Sequence, residues 1–172
     1  KKRSKKPFIF GFFGVLLVAV IAVGVYIQHD TKQKEEMWAF RDTLDQTYFP
    51  LREEFEACVY PENSSSKEEY DCYVLDLLER NQEVRERISA YEVSSEDAKK
   101  LKNEVLNGLD IINRTTDHLD DNDGIVDKNG TLTSDEAKTL AENISNLKED
   151  EKDFYDNADR IYDIFVPKYY SE

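Results

Sequence analysis

"MWAFRDTLDQTYFPLREEFEAC", residues 37–58, repeats apolar side chains in steps of three and four: Met37, Phe40, Leu44, Tyr48, Leu51, Phe55 and Cys58. An α-helix turns once every ~3.6 residues, so this spacing lines them along one face and leaves charged residues for the other. Strand-type alternation is absent. Pro50 falls inside the stripe. It has no backbone N–H and its ring crowds the preceding turn, so the helix is expected to bend near Phe49.

Three further helices are read towards the C-terminus. The second is expected from about Ser66 to Tyr91, with Tyr70, Leu77, Val84 and Tyr91 spaced by seven and Val74 and Ile88 between them. Asn81 occupies the remaining core position, where a polar residue sets register at some cost in stability. "SSED" at Ser94–Asp97 supplies an N-cap and early acids for a third helix. Its apolar face is Ala98, Leu101, Val105, Leu109, Ile112 and Leu119. "TSDE" at Thr133–Glu136 reads as a capping box for the fourth. That helix carries Ala137, Leu140, Ile144, Leu147, Phe154, Ala158, Ile161 and Phe165, and Pro167 follows its expected end. Short connections between helices favour antiparallel neighbours. The expected fold class is all-α, an antiparallel up-down four-helix bundle.

Towards the N-terminus the composition changes. "KKRSKK" at residues 1–6 is a basic tail, and residues 7–27 carry no charge. At ~1.5 Å per residue, such a run matches a hydrocarbon core of ~30 Å. The basic flank then favours a cytoplasmic N-terminus. The organisation expected is a tail at 1–6, a single transmembrane helix or signal-anchor at 7–27, and an extracytoplasmic bundle at 28–172. The competing reading is a cleaved signal peptide, with small residues at Ala22–Gly24. In the anchored topology the chain's last helix returns towards the bilayer, placing Tyr169 and Tyr170 at headgroup level.

Net charge is −14 over 172 residues, and setting aside the five positive charges of the tail leaves −19 on residues 7–172. Such a surface repels nucleic acid and attracts cations or basic proteins. Cys58 and Cys72 are the only cysteines and flank a turn marked by Pro61 and Ser64–Ser66. In an oxidising compartment they read as one disulfide. Asn63, Asn113, Asn129 and Asn143 each begin an N-x-S/T sequon, a glycan acceptor in a eukaryotic secretory pathway.

"DKNGTLTSDE", residues 127–136, resembles the later positions of an EF-hand calcium loop. The resemblance implies oxygen ligands at Asp127, Asn129 and Glu136, a backbone carbonyl at Thr131 and a turn at Gly130. The first ligand position falls on Ile125, which has no side-chain oxygen. Asp121 and Asp123 lie just upstream, as in aspartate-rich extracellular calcium repeats, and a widened loop would let Asp123 take the missing role. The cofactor implied is weakly held structural Ca²⁺ on Asp121, Asp123, Asp127, Asn129, Thr131 and Glu136.

No catalytic signature accompanies these features. His29 and His118 are the only histidines, and no nucleophile elbow, phosphate loop or metal-binding histidine pair occurs. His118 reads as a helix-end histidine and Trp38 as a packing residue. The expected function is a non-enzymatic, membrane-anchored binding or scaffold domain with a protein partner. A ligand-sensing receptor ectodomain is the alternative.

Overall fold

The computed structural model describes the backbone of residues 6–61, 72–126 and 133–169, and the side chains of 26–61, 72–120 and 133–166. Five helices follow in order: α1 (Lys6–Gln46), α2 (Tyr48–Val59), α3 (Val74–Ala90), α4 (Glu96–Val126) and α5 (Ser134–Tyr169). No strand occurs among the described residues. The stripe at residues 37–58 is the spine of the core. Met37, Phe40, Leu44, Tyr48, Leu51 and Phe55 are all buried.

The bend expected near Phe49 lies at Thr47, between α1 and α2. Pro50 sits three residues into α2, where the missing N–H would have had no partner within α2. Within one continuous helix that N–H would have bonded the Gln46 carbonyl, the last residue of α1, and this is where the chain breaks. The Thr47 N–H instead donates to the Leu44 carbonyl at 3.2 Å, tightening the last turn.

Side-chain pairs across the helices fix their directions. From Asn81 to Tyr91, α3 runs against α4 from Leu109 back to Lys102. In the same way, Asp150 to Arg160 of α5 opposes Arg114 to Glu104 of α4. Glu54 of α2 pairs with Arg80 of α3, and Tyr155 of α5 donates to Glu56 of α2 at 3.0 Å. Counting α1 and α2 as one broken helix, the neighbours alternate in direction as the short connections implied. Ile144 is 46% exposed despite its place on the apolar stripe.

The second helix begins at Val74 and not near Ser66. Residues 62–71, including Tyr70 and Asn63, lie outside the described part. Cys72 precedes α3, joined to Cys58 in the last turn of α2 with 5.4 Å between Cα atoms. Asn81 is buried at the expected core position, and its Nδ2 donates to the Leu109 carbonyl at 2.9 Å. Lys102 donates to the carbonyls of Ser89 and Tyr91, closing the C-terminus of α3 with a cation where the helix dipole favours one.

Both expected caps are present. The Ser95 hydroxyl accepts from the Ala98 N–H at 3.3 Å. Thr133 and Glu136 exchange bonds reciprocally, at 2.9 Å from the Thr133 N–H and 3.3 Å from the Glu136 N–H. A third partner arrives at α4 from elsewhere in the chain. Glu36 of α1 accepts from the Ser94 N–H, the Ser94 hydroxyl and the Ser95 N–H. Burial raises its pKa, but the hydrogen bonds from Ser95 and Ser94 outweigh that and hold it at about 2.

A depressed folded pKa stabilises above the unfolded value and is lost as pH falls through the folded one. The bundle should therefore lose on the order of 1–2 kcal/mol between pH ~4.5 and ~2 through Glu36, after allowance for solvent screening. Glu36→Gln should show that loss already at pH 7 and a flatter acid limb in urea titrations. An acid limb of unchanged slope would refute the assignment.

The membrane assignment is corrected. Among the described residues, no helix is long and apolar enough to cross a membrane. The single-pass cell-membrane location with a cytoplasmic N-terminus is therefore not retained, nor is a membrane partner. Residues 7–27 are the beginning of a 41-residue helix that carries on without interruption into the bundle. The described part of that helix, from Tyr26 onward, bears Asp30, Lys32, Lys34, Glu35 and Glu36, which hydrocarbon would exclude. Of residues 7–27, side chains are described only for Tyr26 and Ile27, and both are exposed. Tyr169 and Tyr170 are outside the described side chains.

Candidate functional site

Of the six expected calcium ligands, Glu136 alone has a described side chain, and its carboxylate serves the cap of α5. Asp121 and Asp123 lie on helical backbone, because α4 continues to Val126. Asp127, Asn129 and Thr131 lie outside the described residues. Among the described residues no group of three or more His, Cys, Asp or Glu side chains is placed to hold a metal ion.

Further along the same two helices, α4 and α5 are held by a charged network that the sequence reading missed. Asp150 is buried and accepts from Arg114 Nε at 2.5 Å, while its other oxygen lies 2.8 Å from His118 Nδ1. Arg114 also donates to Asp153 at 2.9 Å. His118 is thus half-buried against a carboxylate, not simply exposed at a helix end. Asp150 lies four residues before Phe154 on the same face, and a charge at a stripe position was the signal available. No nucleophile joins the network among the described residues, so it braces two helices.

A second polar cluster lies at the centre of the bundle. The Tyr48 hydroxyl donates to Asn157 Oδ1 at 3.2 Å. Asn157 Nδ2 in turn donates to the Glu104 carbonyl at 2.9 Å and approaches the Glu104 carboxylate at 3.2 Å, to which Arg160 also donates. Burial pushes the Tyr48 phenol up to about 12, so it remains a neutral donor. Gly108 makes the room. A Cβ there would stand 2.2 Å from Tyr48 Oη and 2.6 Å from Asn157 Oδ1.

In an open helix Gly→Ala gains up to ~1 kcal/mol. At Gly108 the sign should reverse, since overpacking costs ~1–3 kcal/mol and a broken buried hydrogen bond adds a comparable amount. Gly108→Ala should lose ~1–3 kcal/mol net in denaturant titration. A gain in stability would refute the close approach.

A mainly apolar cavity of about 600 Å³ lies beside the α1–α2 break. Leu44, Phe49 and Leu101 line it from α1, α2 and α4, while Ile161, Tyr162 and Phe165 of α5 close the other side. Ala158 and Val166 complete the apolar wall, and the charged lining groups are Arg41, Arg52 and Asp159. Thr47, whose φ of −131° and ψ of −69° depart from helical values, separates α1 from α2 beside the lining residues Leu44 and Phe49. Tyr162 is 61% exposed at the mouth. Trp38, 41% exposed, packs edge-on against Phe165 with ring centroids 5.7 Å apart.

Both arginines of the cavity lie over aromatic rings. Arg41 Cζ is 4.9 Å from the Phe165 centroid, and Arg52 Cζ is 4.2 Å from that of Phe154. Arg41 also pairs with Asp45 at 3.3 Å. The buried Nε of Arg52 has no hydrogen-bond partner among the described residues. Sequence reading assigned Leu44, Ala158, Ile161 and Phe165 to the core and passed over Arg41 and Arg52, because nothing in their spacing sets them apart.

In comparisons with known proteins, no family model, no curated protein and no solved structure matches the chain.

Proposed function

We propose that this chain is a non-enzymatic binding module, a disulfide-clasped helical bundle that holds an apolar ligand beside the α1–α2 break. The observation that carries the reading is the cavity of about 600 Å³ lined by Phe49, Leu101, Tyr162 and Phe165. Small-molecule sites are typically apolar recesses of ~300–1,000 Å³ with few polar groups, often between the helices of a bundle. The clusters around Asp150 and Asn157 are occupied in holding helices together and need no reaction to account for them. A ligand-sensing role is the second reading, favoured by one feature: the cavity wall contains the only break in the long first helix, so occupancy bears directly on the angle between α1 and α2.

The test uses N-phenyl-1-naphthylamine, a neutral apolar dye, with Trp38 at the cavity rim as an intrinsic reporter. Saturable 1:1 binding that quenches Trp38 is expected, and Ala158→Phe, which fills the cavity, should abolish it. Failure to saturate, or undiminished binding in Ala158→Phe, would remove the reading. Calcium bracing of the α4–α5 turn is a separate proposal resting on the sequence of residues 121–136. It requires a higher melting temperature in millimolar calcium that Asp127→Ala abolishes, and an unchanged melting temperature in the unsubstituted protein would end it.

A further inference from the structure

We propose that the ligand of this cavity is an amphipathic carboxylate, an alkyl or aryl body with one anionic head that docks on Arg52. The inference rests on the cavity being a binding site and adds the class of molecule it takes. Its basis is a local reversal of charge. The chain carries −14 overall, yet the cavity lining contributes two guanidinium groups and one carboxylate.

Like Arg52, exposed Arg87 has no carboxylate partner among the described residues, but Arg52 is partly buried, and the other partly buried or interhelical arginines are paired. Arg80 pairs with Glu54, Arg85 with Asp110, Arg114 with Asp150 and Arg160 with Glu104, each across two helices. With acids so abundant, a cross-helix carboxylate is the ordinary partner for an arginine here. Arg52 has none among the described residues. Its guanidinium lies against the face of Phe154, and its Nε is buried without an acceptor. With Nε closed off, the hydrogen bonds to a carboxylate fall to the Nη groups, and a planar guanidinium matches a carboxylate through two parallel hydrogen bonds.

The rest of the cavity suits the remainder of such a molecule. Leu44, Phe49, Leu101 and Ile161 offer hydrocarbon, and exposed Tyr162 stands at the entrance. Arg41 adds a second positive charge, largely satisfied by Asp45 and the Phe165 ring. Asp159, exposed in the lining, is the one group that opposes an anion. It selects against a second negative charge, which favours a monocarboxylate over a dicarboxylate or phosphate.

Displacement of the bound dye by decanoate and by 1-decanol, equal in chain length, tests the proposal at pH 7. Decanoate should displace it at least roughly tenfold more effectively, and Arg52→Met should erase that difference while decanol is unaffected. Arg52→Lys, which keeps the charge but not the planar fork, should retain part of it. Asp159→Asn should tighten decanoate by about two- to fivefold without changing decanol, an increase that misfolding cannot imitate. Equal displacement by both compounds, or no change in either Arg52→Met or Asp159→Asn, would overturn the carboxylate assignment and leave the binding module intact. Absence of dye binding in the unsubstituted protein would instead remove the binding module, and the assignment with it.

Discussion

Phe154→Ala is expected to destabilise the bundle by ~3–5 kcal/mol, the range for deleting a fully buried aromatic ring. Phe154 is 1% exposed and touches three other rings: Phe55 at 5.2 Å, Tyr155 at 5.4 Å and Tyr60 at 5.8 Å between centroids. These rings join the C-terminal end of α2 to α5. Truncation removes dispersion contacts on several sides, and the neighbouring helices are tied by hydrogen bonds that hinder collapse into the space. It also removes the aromatic face beneath Arg52, so the effect should lie at the upper part of the range. Phe154→Leu, which keeps most of the volume, should lose less than half as much. Denaturant titration measures both. A loss below ~1.5 kcal/mol for Phe154→Ala would show that the aromatic cluster is not a principal source of stability.

Cys72→Ser should cost ~3 kcal/mol in the chain-entropy account of cross-linking, given the sequence separation of 14 between the paired cysteines. The loss should fall most heavily on α3. That helix has 17 residues, against 31 in α4 and 36 in α5. Apart from Leu77 and Ile88 in the core, with Val84 packed against it, its described attachments are Asn81, ion pairs from Arg80 and Arg85, and the Lys102 bonds to its C-terminus. The exposed Arg85–Asp110 pair contributes at most ~1 kcal/mol, and Arg80–Glu54 is buried only on its carboxylate side. Hydrogen exchange should therefore show α3 opening first in the variant, before α4 and α5. Reductant should lower the unsubstituted protein to the stability of Cys72→Ser and leave the variant unchanged. Equal stability of the two proteins without reductant would contradict a clasp that constrains the unfolded chain.

These expectations join the two parts of the molecule that face the cavity. Phe154 supports Arg52 from behind, and the clasp holds the end of α2, whose first turn carries Phe49. Variants at either position should weaken dye binding in proportion to how far they loosen α2. Gly108→Ala disturbs the same layer from the α4 side, through Tyr48.

What the sequence alone determined was the set of properties carried by short windows of chain. The apolar steps from Met37 to Phe55, the core position of Asn81 and the caps at Ser95 and Thr133–Glu136 all follow from helical period and hydrogen-bond chemistry over a few residues. The cysteine pairing was equally legible, since two cysteines close in sequence leave one partner each. The membrane location is not borne out, since among the described residues no helix is long and apolar enough to cross a membrane. Other features depended on where distant segments meet. Glu36 caps a helix whose first residue is sixty positions away. Gly108 is required only because Tyr48 and Asn157 converge on it from two other helices. The cavity brings Arg52 of α2 against Phe154 and Tyr162 of α5, and no periodicity in either helix records that meeting. Local spacing states which face of a helix is apolar, whereas a site depends on which faces are left incompletely filled, and packing among all the helices settles that.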